Sequence, residues 1–435
     1  MAEKKTRNRL TFLEVVAIGI GGMVGGGIFA VLGLAVQLAR GGTPVAFFLA
    51  GVVALLTSYS YAHLSVKYPS AGGTVEFLNQ AFGPGLITGT LNILLWISYM
   101  VMLSLYAFAF GSYGASFFPT SYQPLANHGL ISGVIVIFTL INVLGSSAVG
   151  DSEQWIVLIK VAILLLFIGA GFWTIEVHRL SVTNWTPLPR LVAGGMIIFL
   201  AYEGFELIAN AGGNVEHPEA ILPRAYYVSV FFVILLYVSV AAVTVGNLPL
   251  AKIIAHKEYA LAVSARPFLG QAGFTLIAAA ALLSTASAIN ATLYGATRIS
   301  YVIAKEGELP QILERKFWQR PLEGLFLTAG VALLMANFFN IERISMMGSA
   351  GFLLIFAGVN GANWRLSASI ESSRWLAGAG LVACLGALVG LVWQQMTSNP
   401  KEIFVLIIMV AISFIVEAGY RLIKKRDLWP VFKQK

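Results

Sequence analysis

Five of the seven residues in the tract Gly21-Gly22-Met23-Val24-Gly25-Gly26-Gly27 are glycine, and the tract lies inside the first long apolar segment, Phe12 to Leu38. That segment is long enough to cross a bilayer, which takes about 20 apolar residues. It is a poor continuous helix, because each glycine in a helix interior costs about 1 kcal/mol relative to alanine. In hydrocarbon a helix break also strands backbone N–H and C=O groups, which is tolerated only where they are buried in protein or line a polar cavity. A break at this depth reads as a place where freed backbone groups bind something. It points to a transporter.

Composition supports the membrane setting and excludes other classes. The 435 residues are 58% hydrophobic and 11% charged, with a mean hydropathy of +0.81, outside the range of soluble globular domains. A single cysteine, Cys384, rules out an internal disulfide and a Cys-based metal site. His63, His128, His178, His217 and His256 show no ligand spacing, so neither metal nor cofactor is expected. No His-Glu metal motif or nucleophile elbow is present, so the chain does not read as an enzyme. The N-terminal apolar run lacks a small-residue cleavage site and reads as a retained span rather than a signal peptide.

Apolar runs at 12–38, 44–66, 86–118, 129–145, 152–175, 191–212, 223–246, 271–304, 322–340, 343–363, 374–396 and 402–423 predict an all-α integral membrane protein with twelve transmembrane helices. With the N-terminal Lys4, Lys5, Arg7 and Arg9 in the cytoplasm, both termini are inside. The inner side then collects most of the 28 Lys and Arg, including Lys305, Arg315, Lys316, Arg320 and the tail Lys424-Lys425-Arg426. That asymmetry obeys the positive-inside rule and predicts a multi-pass protein of the cell membrane. The net charge of +8 thus reflects topology rather than a nucleic-acid partner. The third and eighth runs are long enough to require tilt or extension beyond the bilayer, and 247–270 reads as an outer loop with a short helix.

A second break is predicted at 191–212, where Phe199-Leu200-Ala201-Tyr202-Glu203-Gly204-Phe205-Glu206 sets two carboxylates and a glycine at mid-membrane depth. Runs one and six are five spans apart, and an odd number of spans per repeat inverts the second copy. Paired broken helices in corresponding positions of two halves mark the binding site of a secondary transporter.

Three stretches resemble the amino acid–polyamine–organocation (APC) superfamily, and in particular its archaeal and bacterial proton-coupled, sodium-independent members with the LeuT fold. The first is Gly22-Met23-Val24-Gly25-Gly26-Gly27-Ile28-Phe29. The second is Gly204-Phe205-Glu206 with Glu216-His217-Pro218-Glu219-Ala220-Ile221-Leu222-Pro223-Arg224. The third runs from Asn290 through Arg298-Ile299-Ser300-Tyr301 to Lys305-Glu306-Gly307-Glu308-Leu309-Pro310. One departure is Leu200, at a position where many relatives carry an aromatic gate. The resemblance implies a five-plus-five inverted repeat with two additional helices, helices one and six discontinuous, and an amino acid moved by alternating access. The repeats would occupy 1–180 and 181–370, leaving 371–435 for the last two helices and a basic tail.

On this reading Gly25, Gly26 and Gly27 offer N–H groups at the start of a half-helix, where orphan donors and the positive end of the dipole suit a carboxylate. Tight helix packing is the competing reading, since Gly21/Gly25 and Gly22/Gly26 also fit a small-xxx-small pattern. Carbonyls near Gly22, Met23 and Val24, and near Leu200 and Ala201, would take the substrate ammonium. Tyr99, Tyr202 and Phe205 are candidate pocket side chains.

Lys160 lies deep in Gln154-Trp155-Ile156-Val157-Leu158-Ile159-Lys160-Val161-Ala162-Ile163-Leu164. An intramembrane Lys costs about 2.5–3.5 kcal/mol even on the lenient insertion scale, so it normally has a functional partner. In sodium-dependent relatives helix five passes beside a sodium ion held by helix-one carbonyls and helix-eight hydroxyls. The resemblance therefore implies an ammonium that mimics the ion, accepted by carbonyls near Gly21 and Val24 with Ser284 and Ser287. Two unit charges about 4 Å apart repel by about 4 kcal/mol at an effective dielectric of about 20, enough to exclude sodium from a weak site. A buried lysine can also shed its proton during a transport cycle. Glu206, which matches the family's acidic position, and Glu203 are the other proton-coupling candidates; each could instead be a protonated carboxyl satisfying loose backbone groups.

The expected function is proton-coupled, sodium-independent amino acid transport, with amino acid, protons and the lipid bilayer as partners. An amino acid or amine exchanger, or an amino acid-binding membrane sensor, are the alternatives.

Overall fold

The computed structural model describes residues 9–70, 72–144, 149–309 and 322–424. Of the cations used to orient the chain, Lys4, Lys5, Arg7, Arg315, Lys316, Arg320, Lys425 and Arg426 lie outside the described residues. Every regular element among those described is helical, as hydrocarbon requires of segments that must satisfy their backbone groups internally.

The first span is two helices, α1 (Phe12–Met23) and α2 (Gly27–Ala39), bent by 44° across the glycine tract. Then follow α3 (Thr43–Lys67), the short α4 (Thr74–Phe82), α5 (Leu86–Ala115), α6 (Gln123–Leu144) and α7 (Val149–Phe172). The second break lies between α8 (Leu188–Ile197) and a 3₁₀ helix, Phe199–Glu206, that runs on into α9 (Leu207–Ala211), with a bend of 41°. The remainder comprises α10 (Pro218–Asn247), α11 (Leu250–Ala255), α12 (Ala260–Lys305), α13 (Leu322–Phe338), α14 (Ile341–Leu366), α15 (Arg374–Ser398) and α16 (Pro400–Ile423).

Among the described residues, nine helices are long and apolar enough to cross a membrane, and each bent pair adds one more span, giving up to eleven. The apolar α13 stands at the ninth predicted run, 322–340; its 17 residues rise about 25 Å at 1.5 Å per residue. The chain is an all-α multi-pass membrane protein.

One segment differs in detail from the expectation. The predicted outer loop 247–270 contains α11 and also the first turns of α12, up to Gly270, whose φ of 64° kinks the helix. Only glycine adopts that left-handed backbone without strain. The long α5 is buried in the bundle: 89% of its apolar core is inside, against 83% for α14 and 22% for α6 and α16. Helices α5, α14, α3 and α10 therefore form the protein core, while α6 and α16 present their apolar faces outward, as a lipid solvent allows.

Candidate functional site

The site is built where the two breaks meet. Continuous α-helix ends at Met23, with the Val24 amide still donating to Ile20 O at 2.7 Å, and resumes at Gly27. No side chain caps the start of α2, so its first N–H groups face the break as orphan donors. None of Gly21, Gly22, Gly25, Gly26 or Gly27 has a positive φ. These glycines serve close approach instead. A β-carbon on Gly22 would lie 2.5 Å from the Gly204 carbonyl oxygen, and one on Gly27 would lie 2.9 Å from Ala201 Cα. The two breaks touch backbone to backbone.

The second break is tighter than a plain unwinding. After Ile198 the chain winds as 3₁₀ helix, with the Ala201 amide donating to Ile198 O at 3.0 Å. Ser349 on α14 fills the discontinuity: its hydroxyl donates to Ile197 O (2.7 Å) and accepts from the Leu200 amide (3.1 Å). The Tyr237 hydroxyl on α10 ties both breaks together, donating to Met23 O at 2.6 Å and lying 3.3 Å from Ala201 O. Ser284 on α12 donates to Val24 O at 2.9 Å and to Gly25 O.

Lys160 lies on α7, 2% exposed, with its ammonium donating to Gly21 O at 2.9 Å; Val157, one turn earlier, packs against Gly21 itself. Of the four acceptors anticipated for this ammonium, Gly21 is a direct partner, Val24 O takes Ser284, and Ser287 is half-buried on α12.

The two carboxylates take different surroundings. Glu206 Oε2 accepts from Tyr61 (3.2 Å) and Thr74 (3.4 Å), whose hydroxyls also bond each other, while its Oε1 is buried without a hydrogen bond. Glu203 Oε1 accepts from Tyr106 on α5 at 3.3 Å. The Tyr106 ring covers Gly26, and its hydroxyl stands 3.8 Å from where a Gly25 β-carbon would sit.

The pocket candidates separate in space. Tyr202 donates to Phe47 O at 2.9 Å and packs against Tyr237, between α3 and α10, whereas Phe205 packs among Tyr61, Tyr226 and Phe356 of α3, α10 and α14; both are fully buried. Leu200 packs toward Gly348 of α14. Tyr99 lies on the same helix as Tyr106, its ring 6.2 Å from that of Phe352. Sequence reasoning did not single out Tyr106, Tyr237, Ser349, Tyr61 or Thr74. Their one signal is a hydroxyl within a buried helix, and such groups are too common to rank without coordinates.

Comparison with known proteins gives the geometry a family. A family profile for amino acid permeases matches residues 10–417. The chain is 37% identical to an uncharacterized protein of Methanocaldococcus jannaschii over 96% of both chains. It is 34% identical to the inner membrane transport protein YbaT of Escherichia coli, over 93% of this chain and 94% of that one. Against the branched-chain amino acid permease BcaP of Lactococcus lactis it is 28% identical, over 82% of this chain and 81% of the permease. These relatives are transport proteins rather than enzymes where their names assign a role. The chain belongs to the amino acid permease family of the APC superfamily.

Proposed function

We propose that the protein imports an amino acid across the cell membrane by alternating access, coupled to protons and independent of sodium, with Lys160 standing in for the sodium ion of other family members. The observation that carries this reading is the 2.9 Å hydrogen bond from the Lys160 ammonium to Gly21 O, at the edge of the first break. A charge held against a helix-one carbonyl occupies the electrostatic role of a monovalent cation. When the lysine loses its proton that role lapses, and α7 loses its charged hold on the first break.

The substrate carboxylate would sit on the uncapped start of α2, at Gly25, Gly26 and Gly27, where N–H donors and the dipole favour an anion. The interlocked contact of Gly22 with Gly204 makes α1 and the second break move as one unit. Residues 1–180 and 181–370 act as the two inverted repeats, 371–435 adds the last two helices, and both termini face the cytoplasm. Glu206 and Glu203 are the other in-membrane groups able to hold a proton.

The test is uptake into proteoliposomes, with and without an inward proton gradient, in sodium and in sodium-free buffer. Uptake that follows the proton gradient and ignores sodium supports the reading. Uptake that requires sodium overturns it.

A further inference from the structure

Glu203 is an acid at the centre of the bundle with no cation beside it among the described residues. Among the described residues its carboxylate forms no ion pair, and its one hydrogen bond is the Tyr106 hydroxyl. Lys160 is directed at Gly21 O, on the α7 side of the first break. Glu203 keeps 7% exposure, whereas Tyr202 and Phe205 near it in the chain are fully buried. A carboxylate held in low dielectric without a cation is costly, and a positive group arriving beside it relieves that cost.

Three of the five carbonyls expected to take a substrate ammonium already lie against hydroxyl groups. Tyr237 donates to Met23 O and reaches Ala201 O, and Ser284 donates to Val24 O and Gly25 O. We propose that Glu203 is the counter-charge for the substrate's ammonium group. This deepens the amino acid transport reading and rests on it.

Tyr106 explains how the site is kept until substrate arrives. Its ring covers Gly26 beside the carboxylate cradle while its hydroxyl occupies Glu203 Oε1. One side chain thus covers both half-sites. An amino acid displaces it once: the substrate carboxylate takes the N–H groups that the ring shields, and the substrate ammonium takes the oxygen that the phenol releases. The positive and negative ends of one small zwitterion match two half-sites spanned by a single tyrosine. Amines without a carboxylate bind too, more weakly, through Glu203 alone.

The experiment measures competition for binding to the purified full-length protein. The common L-amino acids are screened first. The tightest is then compared with its decarboxylated amine and its deaminated acid, in wild type, Glu203→Gln and Glu203→Asp. Loss of a charge-assisted hydrogen bond predicts a fall of about tenfold or more in affinity for the amino acid and the amine in Glu203→Gln. The deaminated acid keeps its affinity, and Glu203→Asp recovers part of the loss. Thermal unfolding reports whether each variant is folded. A folded Glu203→Gln protein with unchanged amino acid affinity overturns the proposal, as does an equal loss for the deaminated acid. Wild-type protein that binds no amino acid fails the transport reading itself, and this inference with it.

Discussion

Gly22 and Gly204 face each other with no side chain between them, a β-carbon on Gly22 falling 2.5 Å from the Gly204 carbonyl oxygen. The contact is backbone against backbone, so neither partner can rotate away. Gly204→Ala or Gly22→Ala is expected to destabilise the protein by about 1–3 kcal/mol, as overpacking does, and to abolish uptake. Gly213, with nothing within 4 Å of its would-be β-carbon, is the control, and Gly213→Ala should leave the melting temperature unchanged. Equal melting temperatures for Gly204→Ala and Gly213→Ala would contradict the interlock.

Tyr237→Phe keeps the ring and removes the hydroxyl shared by Met23 O and Ala201 O. A typical intramolecular hydrogen bond contributes about 0.5–1.5 kcal/mol, so the stability loss is modest. Transport should suffer more, because the same hydroxyl couples the two breaks. Tyr202→Phe, which loses only its bond to Phe47 O, should transport faster than Tyr237→Phe at comparable stability. The reverse order would show that Tyr237 is structural only.

Lys160→Ala removes the ammonium from Gly21 O. Uptake by this variant should no longer respond to an imposed proton gradient, while counterflow of substrate persists. A gradient response that survives the substitution moves the coupling group elsewhere, with Glu206→Gln the next variant to measure.

At the end of the bundle where α12 finishes, burial pushes the Glu308 carboxyl from 4.5 up to about 7, opposed by the Asn92 amide that donates to it at 2.7 Å. The Glu417 carboxylate raises it further, and Arg421 lowers it. A carboxyl raised on folding favours the folded state fully at pH below about 4.5 and loses that contribution as pH rises through about 7. Wild-type melting temperature should therefore fall across that window by more than that of Glu308→Gln. Parallel pH profiles for the two proteins would rule Glu308 out as the titrating group.

The two helix breaks were legible because glycine runs and carboxylates inside an apolar segment violate the local rules for a membrane helix. Lys160 was legible for the same reason, a charge where hydrocarbon should be, whereas an acceptor near Gly21 came only from the family resemblance. The form of the second break was not. A 3₁₀ helix held by Ser349 depends on a residue about 150 positions away, which no local pattern encodes. Tyr202 and Phe205 stand beside Glu203 in sequence yet pack into a different part of the core, because successive side chains on a tight helix diverge.

Sequence alone determined that this chain spans a membrane as helices, that two of its spans are broken, and which charges are buried in them. Those properties follow from composition and from the cost of unsatisfied polar groups in hydrocarbon, both of which act residue by residue. Only the tertiary structure decided what each buried group meets: Lys160 with Gly21, Tyr237 with Met23 and Ala201, and Glu203 with Tyr106. Partners are set by the relative rotation and depth of packed helices. Nearly uniform apolar faces leave that register undetermined until the whole bundle is assembled.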